Sequence, residues 1–130
     1  VSEQLALEVA AFGIRVAIVE PGITKSSIFG KNTDTPNATG AYHPHYERML
    51  QMYAAGYLNA SDALEVAEVV RHAIETDQPR LRYPVSWGGR ELTEGRARIT
   101  DEEWVALGRI ETLPDYIAAF EQAFGLDIST

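Results

Sequence analysis

Residues 13–26, GIRVAIVEPGITKS, combine a helix terminator, a mostly apolar strand and a small polar loop. Gly13 suits the position just after a helix, where the backbone often becomes left-handed. Successive side chains of a strand alternate between its faces. Both faces of residues 14–20 carry apolar side chains: Ile14, Val16 and Ile18 on one, Ala17 and Val19 on the other. This pattern predicts a parallel strand covered on both sides.

The predicted strand ends at Pro21, which has no N–H to donate to a sheet ladder. Gly22 lets the backbone approach a ligand closely or take a positive φ. Ligands of open α/β sheets bind outside the carboxyl ends of the strands. A central strand here would therefore place Thr24 and Ser26 at the mouth of a binding site. The alternative is an ordinary turn, because Pro-Gly is a generic turn pair.

Composition limits the possible classes of protein. The 130 residues predict at most one domain, and a net charge of −8 with Lys25 and Lys31 as the only lysines disfavours nucleic-acid binding. The absence of cysteine excludes disulfides and thiolate chemistry. No apolar run approaches the length of a membrane span and no signal peptide is visible, so we expect a cytoplasmic protein.

An ordered set of motifs extends from residue 5 to residue 83. It comprises Leu5 and Glu8 in a helix, then Gly13-Ile14-Arg15-Val16, Pro21-Gly22, Val66-Ala67 and Arg82-Tyr83. This order resembles the C-terminal half of a short-chain dehydrogenase/reductase, and in particular the members that act on hydroxysteroids or retinol. The resemblance is dense over residues 1–87 and thin beyond them.

The resemblance implies an α/β fold. The chain would be the C-terminal portion of a Rossmann-type, doubly wound parallel sheet with three layers (α/β/α), with its N-terminal half missing. Residues 1–130 would form one partial domain. Its parts would be the helix, strand and cofactor loop (1–26), a substrate lid (27–60), a helix and the last strand (61–87), and a C-terminal helical cover (88–130).

The same resemblance implies hydride transfer between NAD or NADP and an alcohol or ketone, in an enzyme that is a dimer or tetramer. The family's catalytic Tyr-x-x-x-Lys pair is absent here, because none of the six tyrosines has a lysine four residues later. The Gly-rich motif that seats a pyrophosphate on a helix N-terminus is also absent. Because the chain starts with Val1 inside a helical pattern, we expect those residues upstream of Val1. This chain alone is predicted to be inactive.

The resemblance also assigns site residues. Backbone groups at Thr24 and the hydroxyl of Ser26 would face the nicotinamide. The implied cofactor-binding set is Pro21, Gly22, Ile23, Thr24 and Ser26. The implied substrate-binding set, expected to contact a hydrophobic alcohol or ketone, is Ile28, Phe29, Tyr46, Met49 and Tyr53.

The lid residues also have a purely structural interpretation. An aromatic stripe at helical spacing is either core or the lining of an apolar pocket: Tyr46, Met49, Leu50, Tyr53 and Tyr57. Upstream of it, the sequence His43-Pro44-His45 lacks the acidic or thiolate neighbours of a metal site. It predicts instead a helix start with Pro44 in the first turn.

Local signals predict the remaining elements. Ser61 or Asp62 would cap a helix whose buried stripe is Val66, Val70, Ala73 and Ile74. Residues 81–85 would form an edge strand because they contain Pro84. Asp101 would cap a short helix, and residues 114–124 would form the last one.

A non-catalytic interaction module that pairs with another subunit is the alternative function. Its difficulty is physical, since a lone parallel strand leaves ladder groups unpaired. We therefore predict that the isolated chain folds poorly.

Overall fold

The computed structural model describes residues 1–31 and 37–130, so residues 32–36 of the predicted lid lie outside the described residues. The α-helices are α1 (Ser2–Val9), α2 (His43–Asn59), α3 (Ala63–Glu75), α4 (Gly89–Arg98), α5 (Asp101–Leu107) and α6 (Leu113–Phe124). The strands are β1 (Ile18–Pro21) and β2 (Arg82–Val85), and short 3-10 turns cover Ala10–Phe12 and Ser27–Gly30.

The two strands pair in parallel, with Ile18 opposite Arg82 and Pro21 opposite Val85. Helix α3 lies between them in the chain, so the fold is α/β, as predicted. Strand β1 begins four residues later than the predicted strand at residues 14–20. The difference follows from its partner, because β2 is only four residues long and the ladder ends with it.

Helix ends follow local chemistry. Gly13 has φ +69° after the first helical segment, which confirms its predicted role. Asp62 caps α3 by accepting from the Leu64 N–H at 2.8 Å, also as predicted. The predicted cap of α5 is wrong by one residue. Thr100, not Asp101, accepts from the Glu103 N–H, and the Glu103 carboxylate accepts from the Thr100 N–H.

The predicted buried stripe of α3 is partly wrong. Val66, Val69 and Ala73 are half-buried, whereas Val70 and Ile74 are 41% and 67% exposed. A two-stranded sheet is narrower than the apolar face of this helix, so part of that face extends past β1. Leu5 of α1 and Phe12 also remain exposed.

The best-buried cluster lies between α2, α6 and the segment after α6. Its buried members are Ala55, Phe120, Phe124, Leu126 and Ile128. Helix α4 occupies residues whose Gly- and Arg-rich composition gave no clear helix signal. It packs closely because Gly95 faces Phe124, where a β-carbon would lie 2.4 Å from a ring carbon.

Arg48 fastens α2 to the C-terminal helices. It is only 7% exposed, and its guanidinium donates to the carbonyls of Leu107, Gly108 and Ile110. The same group lies 4.4 Å from the centre of the Tyr116 ring. Carbonyls at a helix C-terminus lack intrahelical partners, so Arg48 satisfies the end of α5. Burial raises the pKa of the Tyr116 hydroxyl, which keeps that ring neutral beneath the cation.

Arg48→Met should destabilise the protein by about 1–3 kcal/mol, because the three carbonyls lose the donor that the buried Arg48 provides. Urea denaturation measures the change in the free energy of unfolding. Arg109→Met is the matched control, since Arg109 is exposed two residues beyond the end of α5. Equal effects of the two substitutions would contradict the role assigned to Arg48.

Candidate functional site

A cavity of about 570 Å³ opens at the carboxyl end of β1. The loop after β1 forms one wall, the turn at Ser27–Gly30 a second, and α2 the third. Its lining is mostly apolar and consists of Pro21, Gly22, Ile23, Thr24, Ile28, Phe29, Leu50 and Tyr53. The cavity therefore lies where ligands bind in open α/β sheets.

The loop wall is held against the end of β2. The Gly22 N–H donates to Val85 O and the Ile23 N–H to Trp87 O, both at 2.9 Å. A β-carbon on Gly22 would lie 2.1 Å from Trp87 O and 2.4 Å from Gly89 N. The close approach predicted for Gly22 is thus made by the chain's own backbone.

Thr24 has distinctive backbone geometry. The Lys25 N–H donates to Ser61 O at 2.8 Å, and the Ser61 N–H donates to Ile23 O at 3.1 Å. Because these bonds use the residues on either side of Thr24, its own N–H and C=O point away from Ser61. Within residues 1–31 and 37–130, neither group bonds to another backbone group. Thr24 thus presents one donor and one acceptor beside the cavity.

Two serines that the sequence did not assign to the site support this loop. The Thr24 hydroxyl donates to Ser86 Oγ at 3.0 Å, and Ser61 Oγ accepts from the Trp87 N–H at 3.2 Å. Ser86 has φ +66°, a left-handed conformation that is unfavourable for a residue with a β-carbon. The one sequence signal for Ser86 was its place directly after the last predicted strand.

Helix α2 lies directly on the loop at Gly56, where a β-carbon would be 2.2 Å from Ile23 Cδ1. The ring of Tyr57 meets Phe29 edge-on, with 5.9 Å between centroids. The aromatic stripe of α2 is not buried core. Leu50 and Tyr53 line the cavity while about half-exposed, and Tyr57 is 67% exposed.

Three of the predicted site residues lie outside this lining. Ser26 Oγ accepts from the Ile28 N–H at 3.4 Å and caps the following turn. Tyr46 is half-buried elsewhere on α2. Met49 lines a second cavity, of about 830 Å³, between α2 and the C-terminal helices. Leu50 is the cavity residue absent from the predicted set.

His43 and His45 lie in the first turn of α2. The helix begins at His43 with Pro44 in the first turn, as predicted, and His43 Nε2 lies 3.3 Å from Glu47 Oε1. In the part of the chain that the structure describes, no three His, Asp or Glu side chains are grouped as metal ligands would be.

An ion-pair network joins α1 to both strands beside the loop. Arg82 of β2 contacts the carboxylates of Glu20 in β1 and Glu3 in α1. The hydrogen bond and positive charge of Arg82 hold the pKa of the Glu3 carboxyl below its usual range. A carboxyl with a lowered pKa stabilises the folded state above its unfolded pKa, and that contribution disappears as the pH falls through the lowered value.

We therefore expect acidification through and below the ordinary pKa range of glutamate to weaken the docking of α1, because Glu3 is then progressively protonated and its pairing with Arg82 is lost. Glu3→Gln should remove this part of the pH dependence of the melting temperature. Glu8→Gln on the same helix is the control, because the Glu8 carboxylate contacts only Gln4 among the hydrogen bonds of the described residues. An unchanged acid profile in Glu3→Gln would refute the assignment.

Gly22→Ala should destabilise the protein by about 1–3 kcal/mol or more, because backbone atoms of two segments must separate to make room. Gly30→Ala is the matched control, since its β-carbon would meet no described atom within 4 Å. Denaturant titrations of both variants give the comparison. A Gly22→Ala protein as stable as wild type would show that the loop is not held as described.

Comparison with known proteins finds that the chain is similar to oxidoreductases. It is 33% identical over 93 residues to the uncharacterized oxidoreductase YusZ of Bacillus subtilis, covering 67% of this chain and 33% of that protein. It is 30% identical over 106 residues to human retinol dehydrogenase 5, and the match covers 70% of this chain and 33% of that protein. It is 26% identical over 113 residues to the uncharacterized oxidoreductase SPAC977.08 of Schizosaccharomyces pombe, and the match covers 84% of this chain and 46% of that protein.

The chain thus spans about a third of the length of the first two relatives. No protein-family model matches the chain. Among the described helices, none combines the length and the apolar character needed to cross a bilayer.

Proposed function

We propose that this chain supplies the nicotinamide-side loop and the substrate lid of an NAD(P)-dependent short-chain dehydrogenase/reductase. The enzyme transfers a hydride between NAD or NADP and a hydrophobic alcohol or ketone. One observation carries the proposal: in a chain similar to oxidoreductases, a Pro-Gly loop and an apolar helix enclose a cavity at the carboxyl end of a parallel strand.

The chemistry of the loop fits a nicotinamide. A carboxamide has one carbonyl acceptor and an NH₂ donor, and Thr24 presents a backbone N–H and C=O beside the cavity. Pro21 and Ile23 supply apolar surface for a ring. Ser26 Oγ accepts from Ile28 N, so its own O–H can still be donated to a ligand. The bound cofactor supplies or accepts the hydride.

The other walls of the cavity fit an apolar substrate. Ile28, Phe29, Leu50 and Tyr53 are among the lining residues, and none of the lining residues within the described ranges 1–31 and 37–130 is charged. Burial of apolar surface contributes roughly 25 cal/mol per Å², so a hydrophobic molecule gains more here than a polar one. Tyr46 and Met49 remain in the proposed substrate set as neighbours along α2.

In this proposal, residues outside this chain carry out the proton transfer. A Tyr-x-x-x-Lys pair, placed upstream of Val1 in the same helix as α1, acts as the general acid/base. Strand β1 then pairs on its second edge within a doubly wound, three-layer sheet. The complete enzyme is proposed to be cytoplasmic and homo-oligomeric.

The test begins with the coding sequence immediately upstream of Val1. We expect an open reading frame that encodes Tyr-x-x-x-Lys within roughly three helical turns, with a Gly-rich strand-turn-helix further upstream. The complete product should oxidise hydrophobic alcohols or reduce the matching ketones with NAD(P), and residues 1–130 alone should not. A start codon at Val1, or a complete product without such turnover, would contradict the proposal.

Within an active complete protein, Tyr53→Ala should raise the KM for a hydrophobic substrate roughly tenfold, because a ring that lines the cavity is lost. The KM for the cofactor should change little. Tyr42→Ala is the control, since Tyr42 is exposed and does not line this cavity. Steady-state kinetics with both reactants varied separate the two constants. Equal effects of the two substitutions would exclude α2 from the substrate site.

A further inference from the structure

The segment after α6 folds back against α2. Leu126 is buried, and Ile128 is fully buried beside Ala55 in the main cluster. Gln51 Nε2 donates to Ile128 O at 2.6 Å and to Thr130 Oγ1 at 3.1 Å. Because a carbonyl can only accept, the amide of Gln51 is held in one orientation. We call residues 126–130 the tail.

The tail binds α2 on a face nearly opposite the face that lines the cavity. Gln51 directly follows Leu50, and Ala55, fully buried near the tail, lies two residues after Tyr53. A helix turns by about 100° per residue, so the Gln51 and Ala55 face lies roughly 150° around the same rigid element from the Leu50 and Tyr53 face. A shift of α2 away from the tail would therefore move Leu50 and Tyr53 within the cavity.

The tail also contacts the support of the loop wall. Leu126 Cδ2 is 3.3 Å from the position that a β-carbon on Gly88 would take, and Trp87 packs against the same buried cluster. Trp87 O accepts from the Ile23 N–H and leaves no room for a side chain on Gly22. The tail is thus in contact with the elements behind two walls of the cavity.

We infer that Gln51 is a positioning residue, and that its bond to the tail fixes how far α2 stands from the Pro-Gly loop. The width of the cavity, and hence its affinity for hydrophobic molecules, then depends on residues 126–130. That the natural occupant is an alcohol or ketone rests on the proposed function. That Gln51 and the tail set the width of the cavity does not.

The experiment uses the complete product of the reading frame and the uncharged dye Nile red, whose fluorescence reports binding to apolar sites. Tyr53→Ala, which should weaken dye binding, verifies that the dye occupies this cavity. Gln51→Met keeps the length of the side chain but removes the donor, and Gln51→Lys restores a donor. Gln122→Met is the matched control on the exposed face of α6.

We expect Gln51→Met to weaken Nile red binding about fivefold, while Gln51→Lys and Gln122→Met stay within about twofold of wild type. Rescue by lysine separates a positioning bond from a general loss of packing. If Gln51→Met fails to fold, Gln51→Glu replaces it, since a carboxylate has the same shape and cannot donate. Circular dichroism and melting temperature identify the folded variants.

Two results would overturn the inference: wild-type dye affinity in a folded Gln51→Met or Gln51→Glu protein, or dye binding that is indifferent to Tyr53→Ala. The expected dye pattern in a protein without NAD(P) turnover would support the inference and refute the proposed function. Dye binding therefore tests the role of Gln51, whereas NAD(P) turnover tests the proposed function.

Discussion

Gly22 has no side chain, and the backbone of Trp87 and Gly89 fills the space that one would need. This contact joins the loop after β1 to the turn after β2, and the two-stranded ladder ends directly beside it. With the loop held there, Thr24 directs its backbone away from Ser61 and beside the cavity. The candidate site therefore depends on a position that accepts no residue larger than glycine.

The second wall of the site is built by contacts far apart in the sequence. Arg48 ties α2 to the end of α5, Gly56 lets α2 touch Ile23, and Gln51 binds the tail. Each contact holds a different turn or face of the same helix. The apolar lining from Leu50 and Tyr53 is positioned by these contacts, because both side chains are themselves about half-exposed. Substrate specificity in this site would thus depend on where α2 is held.

Local chemistry explains which features could be predicted from the sequence. The left-handed Gly13, the Asp62 cap, the helix start at Pro44 and the Pro-Gly loop each depend on a few neighbouring residues. Burial depends instead on what the fold provides, so Val70 and Ile74 were wrongly predicted to be buried under a sheet that is only two strands wide. The bonds of Arg48 and Gln51 span 60 and 77 residues, and no periodicity in the sequence signals them. The lining residues of the loop and of the apolar turn could be named from short stretches of sequence. Which side chains of α2 face the cavity depends on how that helix is rotated against the rest of the fold, so Leu50 was missed.

The most direct measurement is a crystal structure of the complete protein with its nicotinamide cofactor bound. We expect the carboxamide to bond to the backbone N–H and C=O of Thr24, with the ring against Pro21 and Ile23. Leu50 and Tyr53 should face the substrate side of that ring. A cofactor bound away from the loop at residues 21–24, with the cavity beneath α2 unused, would contradict the proposed role of this loop.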